Sequence, residues 1–502
     1  MANLGFYLKK LAAGSLAMSL EKASQNMVGL VLLPVFAMFL SPADFGILSM
    51  FSMVITALGL LYNPGTVSAA VRLYYDHKDN EDRQKEIFAS AHSFFMLIPI
   101  PFTLILLFFG NAIFQKIFTE FSFYPYGLLG VILAFFSQPV RVWTEFMVVK
   151  FRVVQLAITT FSAFVLGSAV SLICIAGLEM GVMGRIIGMY AAPVSLFVVS
   201  VVSMQRYAGG HMRWKTMLET VRFGLPLIGA IWAYSILQYT GSYLLEYFMT
   251  LKDVGIYNIA YKLAGVPLFI TLGFRQMWVP VFYENMASEN YSVIRRLMSL
   301  FILLMTFVSG VSILFAKEAI LLLFDNRYHE AIPIVAWIVS GVFLLGVLPL
   351  SNSFLGYAKK FGLTSWIALA SGITNIVLNI LLIPRFGVRG AAFTLIISYM
   401  VYLGGGILFT YRDFAKVTDF RAILMTAILF VPAVLFAELT SEPVFNWVET
   451  ALKTGFLLLW TIALFKLGFV SLAEVRKFLS SVTERLKQKK GKAPVDEEIP
   501  AE

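Results

Sequence analysis

The sequence is short of charge and nearly without cysteine. Charged residues make up 14% of its 502 positions, where a soluble chain carries about a quarter. That excludes a water-facing surface over most of the length. One cysteine, Cys174, rules out an intrachain disulfide and a cysteine-based metal site. The four histidines, His77, His92, His211 and His329, lie far apart and no H-E-x-x-H occurs, so no metal centre is indicated. No G-x-x-x-x-G-K-[ST] loop is present, which argues against an ATP-driven pump. No Ser–His–carboxylate set can be argued from spacing, so neither catalysis nor a cofactor is expected. A cleavable signal peptide is not expected either: the apolar stretch after Lys9-Lys10 is too long and contains Glu21-Lys22.

Apolar residues are abundant instead, at 59% of the chain with a mean hydropathy of +0.81. Apolar runs of about 20 residues, enough to cross about 30 Å of hydrocarbon, recur along the whole length. The reading is an all-α polytopic membrane protein of about fourteen transmembrane helices. The first six spans are Leu11–Leu40, Phe45–Val71, Ile87–Phe109, Tyr124–Val149, Val153–Ala176 and Val182–Met204. The next six are Phe223–Met249, Gly255–Phe282, Leu297–Phe315, Ala331–Tyr357, Leu363–Ile383 and Gly390–Thr410. Ala422–Leu439 and Ala451–Val470 complete the set.

A net charge of +10 raises the question of nucleic acid, but the threading answers it differently. With the N-terminus inside, eighteen Lys and Arg fall in cytoplasmic loops, seven more in the C-terminal tail, and seven outside. This positive-inside asymmetry places both termini in the cytoplasm and makes the charge a matter of topology. No nucleic-acid partner is expected.

Three motifs recur in order at nearly one offset. Asp44-Phe45-Gly46-Ile47 is echoed by Asp253-Val254-Gly255-Ile256, Lys150-Phe151 by Lys360-Phe361, and Gly181-Val182-Met183-Gly184 by Gly387-Val388-Arg389-Gly390. The offsets are 209, 210 and 206 residues. A repeat of six helices crosses the membrane in the same sense in both copies, which implies two lobes about an axis along the membrane normal. The expected divisions are a lobe over 1–206, a second over 207–412, two extra spans over 413–470, and a cytoplasmic amphipathic helix and disordered tail over 471–502. That helix opens on the capping box Ser471-Leu-Ala-Glu474 and is basic enough to lie on an anionic leaflet. Asp44 and Asp253 are expected to cap the helices that follow them. Pro64-Gly65 and Pro99-x-Pro101 are expected to break or kink spans two and three.

Ionisable residues inside spans are costly and mark cavities or partner helices. Lys22, Arg72, Arg141, Arg185, Lys262 and Arg275 form a possible ladder of cations from one leaflet to the other, suited to a phosphate-bearing substrate. The binding set expected from it is Lys22, Arg72, Arg141, Lys262 and Arg275. Local alternatives stand beside it. Arg141 and Glu145, four apart, can pair on one helix face, and Arg72 and Arg185 can snorkel from helix ends. Glu21, Glu145 and Glu246 are the candidates for ion coupling, each equally able to serve as a structural counter-ion.

Three stretches carry a family likeness: Phe223-Gly-Leu-Pro226-Leu, Asp253-Val-Gly255-Ile-Tyr257-Asn-Ile-Ala-Tyr261-Lys262-Leu-Ala, and Ala316-Lys317-Glu318. With the span count and the repeat, the chain resembles the polysaccharide-export branch of the MOP (MATE-like) superfamily, the Wzx-type O-antigen and repeat-unit flippases. It departs from the family where members often carry an Asp-Arg pair in helix seven; here stand Thr240-Gly241-Ser242. The resemblance implies alternating-access transfer of an undecaprenyl-diphosphate-linked oligosaccharide from the inner to the outer leaflet of a bacterial cytoplasmic membrane. It implies membrane lipids, a polysaccharide polymerase and glycosyltransferases as partners, in lipopolysaccharide-type synthesis. A MATE-type cation or drug antiporter and a non-transporting assembly scaffold are the alternatives.

Overall fold

The computed structural model describes residues 2–209, 212–225 and 228–469, and within these every regular element is a helix. The expected tail helix from Ser471 lies outside the described residues. The N-terminal half contains α1 (Ala2–Phe39), α2 (Pro42–Tyr62), α3 (Thr66–Asp76), α4 (Glu81–Leu97), α5 (Pro99–Ile117), α6 (Leu128–Val149), α7 (Val153–Leu172) and α8 (Gly181–Ala208). A connecting helix, α9 (Trp214–Gly224), leads to α10 (Ile228–Phe248), α11 (Leu251–Ala264), α12 (Leu268–Ala287), α13 (Tyr291–Leu314) and α14 (Ala316–Leu323). Then follow α15 (Ile332–Tyr357), α16 (Phe361–Phe386), α17 (Val388–Phe409), α18 (Tyr411–Val417), α19 (Phe420–Leu439) and α20 (Trp447–Lys466).

In their described residues the fourteen expected spans fall on helices or broken helices. Twelve segments are long and apolar enough to cross a membrane, and α11 with α12, bent by 51° at their junction, makes a thirteenth. α10, 21 residues long, lies beside them. The protein is a multi-pass membrane protein. Its breaks have chemical causes. Pro64-Gly65 separates α2 from α3, with Gly65 at φ 76°, and Pro99 ends α4 and starts α5 because it cannot continue the preceding hydrogen-bond ladder.

The repeat motifs turn out to be caps. Ser41 and Asp44 form a reciprocal capping box on α2, and Thr250 and Asp253 form the same box on α11. Ser41 and Thr250 are therefore the cap residues, with each aspartate three positions inside. Gly181, the first residue of α8, and Gly387, just before α17, take φ 53° and 55°, a conformation that side chains disfavour. At the middle motif the backbone corrects the register. Arg152 caps α7 as Lys360 caps α16, and the left-handed residues before them are Phe151 and Lys359. Backbone equivalence at this turn is thus 208 residues, two less than the matching letters suggest.

α9 packs against the N-terminal half. Arg83 Nη2 lies 2.5 Å from Glu219 Oε2 and its Nη1 lies 2.6 Å from Glu86 Oε1 and from Thr216 Oγ1. At the other end of the chain, α19 and α20 lie against α13 and α14. Two ion pairs fasten α20 to α14: Lys317 Nζ to Glu449 at 2.7 Å, and Lys453 Nζ to Glu318 at 2.7 Å, with both lysines buried. Breaking one buried pair strands a charge, which costs about 3–5 kcal/mol, whereas removing both partners together costs far less. Lys453→Met is therefore expected to lower the unfolding temperature in detergent clearly, and Lys453→Met with Glu318→Met to recover most of that loss.

Candidate functional site

The two halves meet where α2 crosses α11, and at the crossing their backbones touch. A Cβ on Gly46 would stand 1.9 Å from the Leu251 carbonyl oxygen, and one on Gly255 would stand 1.7 Å from that of Pro42. The contact is reciprocal, since positions 42 and 251, like 46 and 255, are separated by the 209 residues that separate the capping boxes. Two loops brace the same end. In the second half, Tyr328 Oη donates to the Leu40 carbonyl at 2.5 Å and Arg327 Nη2 to that of Ala37 at 3.2 Å. Hydrogen bonds from Arg327 also hold the Asp325 carboxyl below its ordinary pKa.

In the first half the loop after α5 is held by Glu246 of α10. The backbone N–H groups of Thr119, Glu120 and Phe121 donate to Glu246 Oε1 at 2.8, 2.7 and 3.0 Å. Glu246 is fully buried and its Oε2 has no partner. Its placement is that of a structural acceptor tying one half to the other, away from the cavity described next. Glu246→Ala would strand three donors at about 1–3 kcal/mol each, and is expected to destabilise the protein strongly. Glu246→Gln keeps an acceptor oxygen, so near-normal unfolding and transport are expected of it. Loss of transport in Glu246→Gln with stability intact would instead indicate a proton-carrying role.

Behind this seal lies a cavity of about 550 Å³ between α1, α2, α7 and α8 on one side and α10, α11 and α12 on the other. Among the described residues two cations line it, Arg185 and Lys262, and no acidic side chain does. Lys262 is exposed on the wall of this cavity. It makes no hydrogen bond or ion pair with a described residue, and its ammonium lies 5.5 Å from the Phe45 ring centroid. Arg185 donates to Ser171 Oγ at 2.6 Å and stacks 4.3 Å from the Phe36 ring centroid. The two cations are close enough to repel each other. Gln25, Asn26, Ser49, Ser52, Tyr239 and Asn258 add neutral polar groups.

The other expected residues stand elsewhere. Arg72 is exposed on α3 and pairs with Asp76 at 3.2 Å. Arg275, past the bend between α11 and α12, is exposed and does not line the cavity. Lys22 is exposed on α1, and it is the charged neighbour of Glu145, which makes no hydrogen bond or ion pair with a described residue. Arg141 and Glu145 do not pair with each other. The Arg141 guanidinium lies against Gly59 of α2, 3.1 Å from where a Cβ would stand, and reaches the cavity wall electrostatically through Tyr239. Glu21 is one step behind the wall: Gln25 Nε2 donates to it at 2.5 Å and Thr160 Oγ1 at 2.8 Å. Arg185 belongs to the ladder expected from the sequence but not to the binding set expected from it, and the packing brings it to the cavity wall with Lys262.

Comparison with known proteins adds the following. The family model described as "Polysaccharide biosynthesis protein" matches residues 11–286. An uncharacterized membrane protein of Methanocaldococcus jannaschii is 22% identical over 323 residues, covering 59% of this chain and 62% of its own length. The chain thus spans less than two thirds of that relative. A solved lipid II flippase MurJ, in an inward closed conformation, superimposes with a TM-score of 0.70 at 11% identity, over 89% of this chain and 98% of that one. An inward-facing multidrug resistance MATE family transporter of the MOP superfamily gives 0.55 at 15% identity, over 79% and 98%. At these identities the shared property is the fold.

Proposed function

The chain belongs to the polysaccharide biosynthesis protein family, and from that premise we propose that it carries a diphosphate-linked lipid saccharide between membrane leaflets. The observation that supports this best is the pairing of Arg185 and Lys262 on the wall of a cavity that no carboxylate lines among the described residues. Two like charges facing one space repel, and an anion between them relieves that repulsion. A diphosphate supplies the anion. Guanidinium and ammonium groups bind phosphate oxygens by charge-assisted hydrogen bonds, which strengthen where water is excluded. The cavity volume is in the range of small-molecule sites, roughly 300–1,000 Å³, and its amides and hydroxyls suit a saccharide. The lipid chain would remain among the bilayer hydrocarbon.

The charge asymmetry of the loops supports an outward orientation for the sealed end at α2 and α11. In that orientation the protein lies in a bacterial cytoplasmic membrane with both termini inside, and the form described loads from the inner leaflet. Undecaprenyl-diphosphate-linked oligosaccharide is the proposed cargo, with a polymerase and glycosyltransferases before and after it. Rocking of the halves would open the α2–α11 crossing and release the headgroup outside. Glu21, bonded to the cavity residue Gln25, is the proposed coupling carboxylate if a proton gradient drives the cycle.

The MATE-like fold favours a second reading, exchange of organic cations. Two cations on the wall disfavour cationic cargo. The deciding experiment uses proteoliposomes containing a fluorescent undecaprenyl-diphosphate-linked oligosaccharide, with label protection followed with and without a pH gradient. Movement of the saccharide is expected. Efflux of a cationic dye without it would hand the case to the exchanger. If neither moved and deletion of 471–502 abolished polymer formation in cells, the protein would be a scaffold.

A further inference from the structure

A second groove, about 630 Å³, lies on the N-terminal half outside the inter-lobe cavity. It runs between the last turns of α6, the first turns of α7 and the last turns of α8, at the end opposite the α2–α11 crossing. Its rim carries Lys150, Arg152 and Arg206, and among the described residues no acidic side chain lines it. The turn between α6 and α7 delivers two of these. Phe151 takes φ 57° and the Arg152 N–H returns to the Met147 carbonyl at 2.8 Å, so the chain reverses tightly with Lys150 and Arg152 on either side.

Lys150 is engaged by Tyr207, and the two arginines are left for a ligand. Arg152 and Arg206 side chains make no hydrogen bond or ion pair with a described residue. The Lys150 ammonium lies 4.6 Å from the Tyr207 ring centroid and 5.5 Å from that of Tyr74. Glu81 is the acid that reaches Lys150 electrostatically, and it is paired with Lys85 at 3.1 Å. In the floor stands Trp143, 2% exposed, whose buried indole N–H has no acceptor among the described residues. Buried indole groups normally find one. The flank is aliphatic: Val198, Val199 and Val202, on a helix long and apolar enough to cross a membrane, are 55%, 39% and 42% exposed.

Basic residues at this end follow from the charge asymmetry alone. The groove, the orphaned donor in its floor and the bare valine flank do not. Together they match one molecule class, with an anionic head at the rim and chains along the flank. We propose that this groove holds an anionic phospholipid of the adjacent leaflet, its phosphate among Lys150, Arg152 and Arg206. The corresponding turn of the other half is already occupied, because Lys360 donates to the Phe409 carbonyl at 3.0 Å. The site is independent of the cargo assigned to the inter-lobe cavity.

Native mass spectrometry of the full chain in mild detergent tests this, with phosphatidylglycerol, phosphatidylcholine or inorganic phosphate added. The wild type is expected to retain one phosphatidylglycerol at least about tenfold more than phosphatidylcholine, the scale of a charge-assisted hydrogen bond. Lys150→Gln, Arg152→Gln and Arg206→Gln combined should abolish that preference. Lys359→Gln, Arg412→Gln and Arg421→Gln, which remove equal charge from the other half, should leave it. Trp143→Phe, which keeps the ring and loses the donor, should weaken retention roughly fivefold. Equal retention of the two lipids would overturn the proposal. So would equal loss in both triple variants, or displacement of phosphatidylglycerol by millimolar phosphate.

Discussion

Lys262→Ala and Arg185→Ala are each expected to slow saccharide translocation in proteoliposomes about 10- to 100-fold. A hydrogen bond to a charged group contributes about 1.5–3 kcal/mol, and each 1.4 kcal/mol is tenfold. The two substitutions differ in what else they disturb. Lys262 has no polar partner among the described residues, so its loss breaks no hydrogen bond or ion pair there and gives up only the contact with the Phe45 ring. Lys262→Met even removes a repulsion with Arg185 and is expected to unfold at the same temperature or higher, as for other sites that trade stability for function. Arg185 also bonds Ser171 and stacks on Phe36, so Arg185→Lys, which keeps the charge and loses the planar fork, should be intermediate. Arg72→Ala and Arg275→Ala serve as controls, since neither side chain lines the cavity. Transport as slow in Arg72→Ala as in Lys262→Ala would mean that the cavity is not the path.

The helices were legible in the sequence because span length and hydropathy are set by bilayer thickness, and Pro64-Gly65 and Pro99 mark their own breaks. The cavity was legible only in part. Depth along a helix can be counted, but its facing turns about 100° per residue, so Lys22, Arg72 and Lys262 looked alike until the packing was known. The 51° bend between α11 and α12 separates Arg275 from Lys262, and no residue type announces its direction. Glu246 was conspicuous as a buried acid, yet its partners are the backbone N–H groups of 119–121. Backbone donors leave no mark in a sequence. The letters Lys150-Phe151 and Lys360-Phe361 suggested a register that the left-handed turns at Phe151 and Lys359 shift by two. Periodic, composition-driven features were readable, and features set by azimuth or backbone were not.

Gly46→Val and Gly255→Val are each expected to disable the seal and, with it, the transport cycle. At 1.7–1.9 Å from a backbone carbonyl oxygen, a Cβ has no flexible neighbour to displace, so α2 and α11 must part. Overpacking of this kind costs about 1–3 kcal/mol, and that cost falls only on the form in which the helices touch. The equilibrium should therefore move toward the open form by roughly 10- to 100-fold. Ser49, on the cavity wall, reports it: a cysteine placed there is shielded by the crossing, and the native Cys174 is buried. Labelling of Ser49→Cys by an impermeant maleimide applied at the sealed end should accelerate at least about tenfold in either valine variant. Transport should fall because the loading form is depleted. The reciprocal contact makes a stricter demand. Leu251 faces Gly46 as Pro42 faces Gly255, so the two variants should shift labelling by similar factors, and Gly46→Ala and Gly255→Ala by similar smaller ones. Acceleration in one alone would show that the two halves do not bear the seal equally. Wild-type labelling and transport in both would mean that the barrier lies at another layer, with the latches at Glu246 and Tyr328 the next to cut.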